Sequence, residues 1–112
     1  MKMEFEQINP LNKQQAERAF ASADTEKIVH ALLGTTFHEP DWEWVESRCL
    51  QYLESPVPDL RNTAIICLGH LARIHRKLHK TKVVQELSKY LVDPDYSGRV
   101  EDALDDIEMF VK

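Results

Sequence analysis

The stretch Asp59-Leu60-Arg61-Asn62-Thr63-Ala64, followed three residues later by Leu68-Gly69-His70-Leu71, decides the fold. Tyr52-Leu53-Glu54-Ser55-Pro56 precedes it, and the whole returns later as Tyr90-Leu91-Val92-Asp93-Pro94, Arg99-Val100-Glu101-Asp102-Ala103, Ile107 and Phe110. Positions 52, 53 and 56 map to 90, 91 and 94 at an offset of 38. After one added loop residue, 64, 68 and 71 map to 103, 107 and 110 at an offset of 39. A period of about 20–50 residues is the signature of stacked repeats, in which only a neighbouring unit covers each unit's apolar face. Such arrays hold partners more often than they perform chemistry.

Working outward from this pair of echoes, the periodicity predicts six helices in three antiparallel pairs, at about 12–34, 41–76 and 81–111, within one domain of 112 residues. The first helix runs from Asn12 or Lys13 to Ser22, after an irregular lead-in with a turn at Asn9-Pro10. Asp24 or Thr25 caps the second, which Gly34 ends near Leu33, leaving Thr35 to Pro40 as a loop. Asp41 caps a helix from Trp42 to about Glu54, with Val45, Cys49, Tyr52 and Leu53 on its inner stripe and Trp44 opposite. Ser55-Pro56-Val57-Pro58 breaks it. Asp59 then caps Leu60 to Arg76, whose stripe is Leu60, Ala64, Cys67, Leu68, Leu71 and Ile74. Ile65 and Ile66 lie off that stripe, so this helix is expected to be covered on more than one side. Thr81 to Val92 follows, with Val83, Val84, Leu87, Tyr90 and Leu91 inward, and then Arg99 to Val111. The last helix buries Val100, Ala103, Leu104, Ile107, Phe110 and Val111 and turns Asp102, Asp105, Asp106 and Met109 outward.

Composition fits an all-α reading. Apolar residues are 43% and charged residues 29%, with only 3 glycines and 5 prolines. No apolar run approaches the ~18 residues a membrane span needs, and Met1-Lys2-Met3-Glu4-Phe5-Glu6 has no apolar signal core. Cytoplasmic residence is the expectation. Cys49 and Cys67 fall at apolar helix positions and read as buried reduced thiols. The net charge of −5 is laid out in blocks: −6 over residues 1–60, +6 over 61–90 and −5 over 91–112. Blocks of opposite sign on one small body create strong local fields.

At Asp59-Leu60-Arg61-Asn62-Thr63-Ala64 and Leu68-Gly69 the chain resembles a HEAT repeat, the helical-hairpin unit of α-solenoids. In that family a proline-containing turn leads into Asp-x-x-Arg-x-x-Ala and then Leu-Gly on the second helix. Here the turn proline is Pro56 or Pro58, Arg61, Ala64 and Leu68-Gly69 match, and Asp59 sits one residue closer to the arginine. The final unit lacks Leu-Gly, and the first keeps only Leu33-Gly34. The resemblance implies a short right-handed α-solenoid in which small residues such as Ala64 and Gly69 let helices approach closely. By size, helical fold and acidity the chain is also similar to bacterial immunity proteins, helical bodies that bind and neutralise a cognate toxin, often a nuclease.

The sequence offers these candidate partner-binding residues: Trp44, Tyr96, Asp102, Asp105, Asp106 and Met109. A tryptophan off the apolar stripe is a typical interface anchor, and Tyr96 sits in a turn. The carboxylates of the last helix, with Glu101 and Glu108 beside them, offer charge complementary to a basic partner. In HEAT-like stacks the second helix of each pair lines the concave face. An alternative is nucleic-acid binding through the basic run from 73 to 80, with Arg73, Arg76, Lys77 and Lys80. No aromatic residue interleaves that run and the chain is acidic overall, which argues against nucleic acid. A third reading is a scaffold or adaptor subunit that continues a partner's stack.

His70, His75 and His79 lie close together, but no carboxylate or cysteine within the run completes a metal site and the neighbouring cations repel one. No Gly-rich phosphate loop, nucleophile elbow or His-Glu-x-x-His occurs. The expectation is therefore a non-enzymatic protein-binding module with no cofactor, metal or small-molecule substrate, most concretely an immunity protein that occludes a toxin's active site.

Overall fold

In the computed structural model, which describes residues 12–112, the chain is all-α, with six helices and no strand among the described residues. They are α1 (Lys13–Ala21), α2 (Thr25–His38), α3 (Trp42–Leu53), α4 (Pro58–His75), α5 (Lys80–Ser88) and α6 (Ser97–Phe110). The expected lead-in with its Asn9-Pro10 turn lies outside the described residues.

Local signals explain most helix starts. Asn12 caps α1 in a reciprocal capping box with Gln15. Asp24 caps α2 through Lys27 N–H at 3.2 Å, and Asp41 caps α3 through Trp44 N–H at 3.2 Å. α4 departs from the expectation of an Asp59 cap. Its N-cap is Val57, which makes no side-chain cap bond, and Pro58 occupies the first turn. Proline suits that position because the N–H it lacks would be unpaired there anyway. The second proline of the supposed breaker therefore starts the helix.

The largest correction concerns α2. Gly34 does not end it, and the expected loop from Thr35 onward is helical through His38. Gly34, Thr35 and Thr36 are all buried, and the Thr35 hydroxyl donates to Ala31 O at 2.8 Å. The stop comes from Pro40, because the residue before a proline is pushed out of helical geometry. Glu39 accordingly has φ −87° and ψ 121°.

α5 is shorter than expected at its C-terminal end. Beyond Ser88 the chain tightens into three-residue turns, with Tyr90 N–H donating to Leu87 O at 3.0 Å and Leu91 N–H to Ser88 O at 3.2 Å. Leu91, expected inward, is exposed, and so is the apolar Val92 next to it. α6 begins two residues early, at Ser97. Ile74, placed on the buried stripe of α4, lies at the surface.

The helices form two layers. α2, α4 and α6 lie side by side with α4 central, and each packs on its own hairpin mate. Paired positions advance together along α4 and α6: Gly69 meets Ala103, Arg73 meets Asp106 and Arg76 meets Phe110. The two helices therefore run in the same direction. A Cβ at Gly69 would lie 3.3 Å from Ala103 Cα, so the Leu-Gly position is where α6 closes on α4. In the other layer Phe20 of α1 sits against Trp44 and Tyr52 of α3, at ring separations of 6.2 and 5.6 Å. α3 joins α5 through Glu46 and His79.

One core spans the molecule, including Leu32, Leu53, Ile65, Leu68, Leu71, Leu87 and Ile107, each essentially inaccessible. Ile65 is fully buried whereas its neighbour Ile66 is not, so α4 is covered on three sides and open on a fourth. Cys49 and Cys67 are free and buried. A hydrogen bond to Cys67, together with burial, pushes the Cys49 thiol well above its usual range and leaves it unreactive.

Two polar devices tie helices together, the first across the layers and the second within the α1–α3–α5 layer. Arg61 Nε and the Tyr90 hydroxyl both donate to Leu53 O, at 3.0 and 2.9 Å, and satisfy the frayed C-terminus of α3. The same guanidinium lies over the rings of Tyr90 and Tyr96. The second device is Glu46, a buried carboxylate. It accepts from His79 N–H at 2.8 Å and meets His79 Nδ1 at 2.7 Å.

Candidate partner-binding face

The open side of α4 faces a hollow between α4 and α6 with a volume of about 180 Å³. Its floor is Ile66, Gly69 and Ala103, and its walls carry His70, Arg73, Arg99, Asp102 and Asp106. A second hollow of about 600 Å³ adjoins it toward the helix N-termini and shares Ile66 and Arg99. Asp24, Glu26 and Val29 of α2 and Asp59, Asn62 and Thr63 of α4 complete that part. The α2–α4–α6 layer thus presents a continuous concave strip with an apolar floor.

Three of the candidate residues on α6 flank this strip as an open surface. Asp102 and Asp105 are exposed and Met109 is 64% exposed. Asp106 is half-buried at the strip's edge, 3.7 Å from Arg73. The other two candidates are spent on packing. Tyr96 was expected at the surface of a turn, yet only 7% of it is exposed. Its ring sits edge-on to Tyr90 under Arg61, because α6 starts early and draws residue 96 in as its N-cap. Trp44 is half-buried between Phe20, Lys13 and Arg48, on the α1–α3 layer away from α6.

The basic run is likewise committed to its own chain. Arg73 faces Asp106, Arg76 lies over Phe110, and Lys80 donates to Val111 O at 3.0 Å beside Glu108 at 3.5 Å. Of the four cations in the alternative patch, Lys77 alone has no such contact among the described residues. Two ion pairs, Arg73 with Asp106 and Lys80 with Glu108, therefore link the +6 and −5 blocks of the sequence and draw two of the four cations of the patch toward α6. His79 is held by Glu46 and stacks near Trp42, so it is not free to join His75 around a metal.

His70 stands in the wall of the hollow, 5.1 Å ring to ring from Phe37. Desolvation, with Arg73 nearby, pulls its pKa below 6.5, and His75 shifts the same way by desolvation and Lys77. A histidine whose folded pKa is lowered contributes stability above its unfolded pKa and loses it as pH falls through the folded value. Urea unfolding is therefore expected to show lower stability at pH 5.0 than at pH 7.5, and a His70→Gln/His75→Gln variant to show a smaller drop. An equal drop in the variant refutes the assignment.

No helix of the described residues is long and apolar enough to cross a membrane. Neither a family model nor a curated relative matches the chain. Among solved structures, it is similar to a chain in the crystal structure of a CDI complex from Cupriavidus taiwanensis LMG 19424. The two are 28% identical, with a TM-score of 0.83, over 97% of this chain and 96% of that one.

Proposed function

We propose that this chain is the immunity partner of a contact-dependent inhibition pair: a non-enzymatic, HEAT-like helical body that binds a cognate toxin and occludes its active site. The observation that carries the reading is the near-full-length likeness to a chain of a CDI complex, at an identity above that of fold resemblance alone. The α2–α4–α6 strip supports it, because a concave face with exposed apolar and unpaired charged groups suits protein binding. Charge supports it too. The α6 carboxylates Asp102 and Asp105 lack ion-pair partners among the described residues, and such groups speed encounter with a basic surface. A nuclease is the toxin class that suits these carboxylates, since they can stand in for phosphates.

The polypeptide encoded beside this chain's gene is expected to arrest growth when expressed alone. Co-expression with this chain restores growth, and the two elute as one complex in gel filtration. A neighbour that is harmless, or that arrests growth despite this chain and forms no complex with it, rules the reading out.

A further inference from the structure

The second helices leave two adjoining hollows, with Ile66 and Arg99 common to both, whose combined charge does not balance. Asp24, Glu26 and Asp59 line the end formed by α2 and α4. Asp102 and Asp106 line the end formed by α4 and α6. Against these five carboxylates stand two guanidiniums, Arg73 and Arg99. His70 is neutral at pH 7 because desolvation lowers its pKa. Helix N-termini at α2 and α4 contribute roughly +0.5 charge each, which offsets part of the excess of three negative charges but not all of it.

The geometry of the floor matters as much as the charge. Gly69 has no side chain, which lets α6 close on α4 at the floor of the hollow, and Asp106 Oδ2 lies 3.4 Å from where a Cβ at Gly69 would be. A carboxylate is thus laid beside an apolar floor of Ile66, Ala103 and Val29. Asn62 Oδ1, on the same wall, is buried and receives no donor among the described residues. Acceptors beside an apolar floor match a long cationic side chain, whose stem packs while its head binds carboxylate. Phosphate-bearing partners are repelled by the same field.

We propose that these adjoining hollows form a docking groove for a protruding segment of the toxin that carries arginine or lysine side chains, their stems on Ile66 and Ala103 and their heads on Asp102 and Asp106. The identity of the partner as a toxin rests on the function proposed above, whereas the groove and the chemistry of its occupant do not.

Two arms test this. In the first, calorimetry at 150 mM salt measures binding of the neighbouring-gene polypeptide to wild type and three variants. Glu26→Lys/Asp102→Lys reverses charge at both ends of the groove, and Ile66→Ser removes its apolar floor. Glu54→Lys/Glu86→Lys makes the same change in net charge far from it. The groove variants are expected to bind at least about 100-fold and about 10-fold more weakly, and the remote variant within about 3-fold of wild type. Equal losses in the groove and remote variants overturn the proposal and leave the immunity reading standing.

In the second arm, a short amidated peptide containing two arginines and a leucine is titrated into isotopically labelled wild-type protein. Amide shifts are expected to cluster at Ile66, Gly69, Asp102 and Ala103. Shifts centred on Glu17, Glu43 or Glu54, or none at millimolar peptide, overturn the groove whether or not the neighbouring polypeptide binds. Sedimentation showing a dimer that Ile66→Ser abolishes overturns it too, by making a second copy of this chain the occupant.

Discussion

Leu68→Ala is expected to lower the unfolding free energy by about 3–4 kcal/mol. Leu68 is fully buried on α4, the helix that α2, α3 and α6 all pack against. Truncating such a leucine loses the transfer free energy of its removed carbons and leaves a cavity, a combination that costs about 2–5 kcal/mol in well-packed cores. The low end of that range does not apply, because neighbours on three sides must all move before the space can close. Against the roughly 5–15 kcal/mol that holds a typical domain together, this is a large fraction. The midpoint of thermal unfolding should fall by about 12–20 °C, at roughly 4–5 °C per kcal/mol for a domain near this size. Ile66→Ala on the same helix should cost under about 1 kcal/mol, because Ile66 is 39% exposed and borders the open groove. Urea unfolding of the two variants side by side checks the contrast, and similar losses would mean that α4 is not covered as described.

That contrast was legible in part from the sequence. The breadth of apolar positions on α4 predicts a helix covered on several sides, and Gly69 marks a point of close approach. Both follow from spacing, which fixes the angular position of a residue on its helix. The pattern could not say which flank stays open, because angular position is relative to neighbours that tertiary packing supplies. Ile65 and Ile66 are the same residue type, yet one is sealed and the other forms the groove floor. Tyr96 failed as a surface candidate for a related reason. Its placement depends on where α6 begins, and no capping side chain marks that start. Gly34 misled because glycine after an apolar run commonly ends a helix, whereas here it is buried within one and Pro40 supplies the stop.

The charge blocks carry a further lesson about candidate sites. A basic run beside an acidic one invites two separate binding hypotheses when read along the chain. Folding brings the two together, so Arg73 and Lys80 are consumed by α6 and the Lys80 head is fixed to Val111 O. What remains available is the surplus, Asp102 and Asp105 on α6 and the carboxylates at the α2 and α4 N-termini. Net charge over a folded face predicts a partner better than charge over a segment, because fields add in space and are screened over about 8–10 Å.

Glu46→Ala is expected to cost about 2–3 kcal/mol, the largest effect of any charged residue among those described. Nothing in the sequence singles out Glu46, which falls between Val45 and Ser47 on an ordinary amphipathic helix. Yet its residue is only 3% exposed, and both carboxylate oxygens are engaged by His79, one by the backbone N–H and one by the ring. His79 is the N-cap residue of α5 and makes no side-chain cap bond of its own, so Glu46 sets where α5 starts relative to α3. Removing the carboxylate deletes two hydrogen bonds, each worth about 1.5–3 kcal/mol when one partner is charged. The half-exposed His79 ring regains water, which brings the net loss toward the lower figure. Glu46→Gln retains an acceptor for the backbone N–H and should recover about half the loss. His79→Ala in the Glu46→Ala background should cost little more than Glu46→Ala alone, because the coupling is already gone. Hydrogen exchange should locate the damage: in Glu46→Ala the amides of Val83 and Val84 exchange faster, while those of Leu68 and Ala103 hold. Uniform acceleration across all six helices would instead mean that Glu46 serves global packing and not the docking of α5.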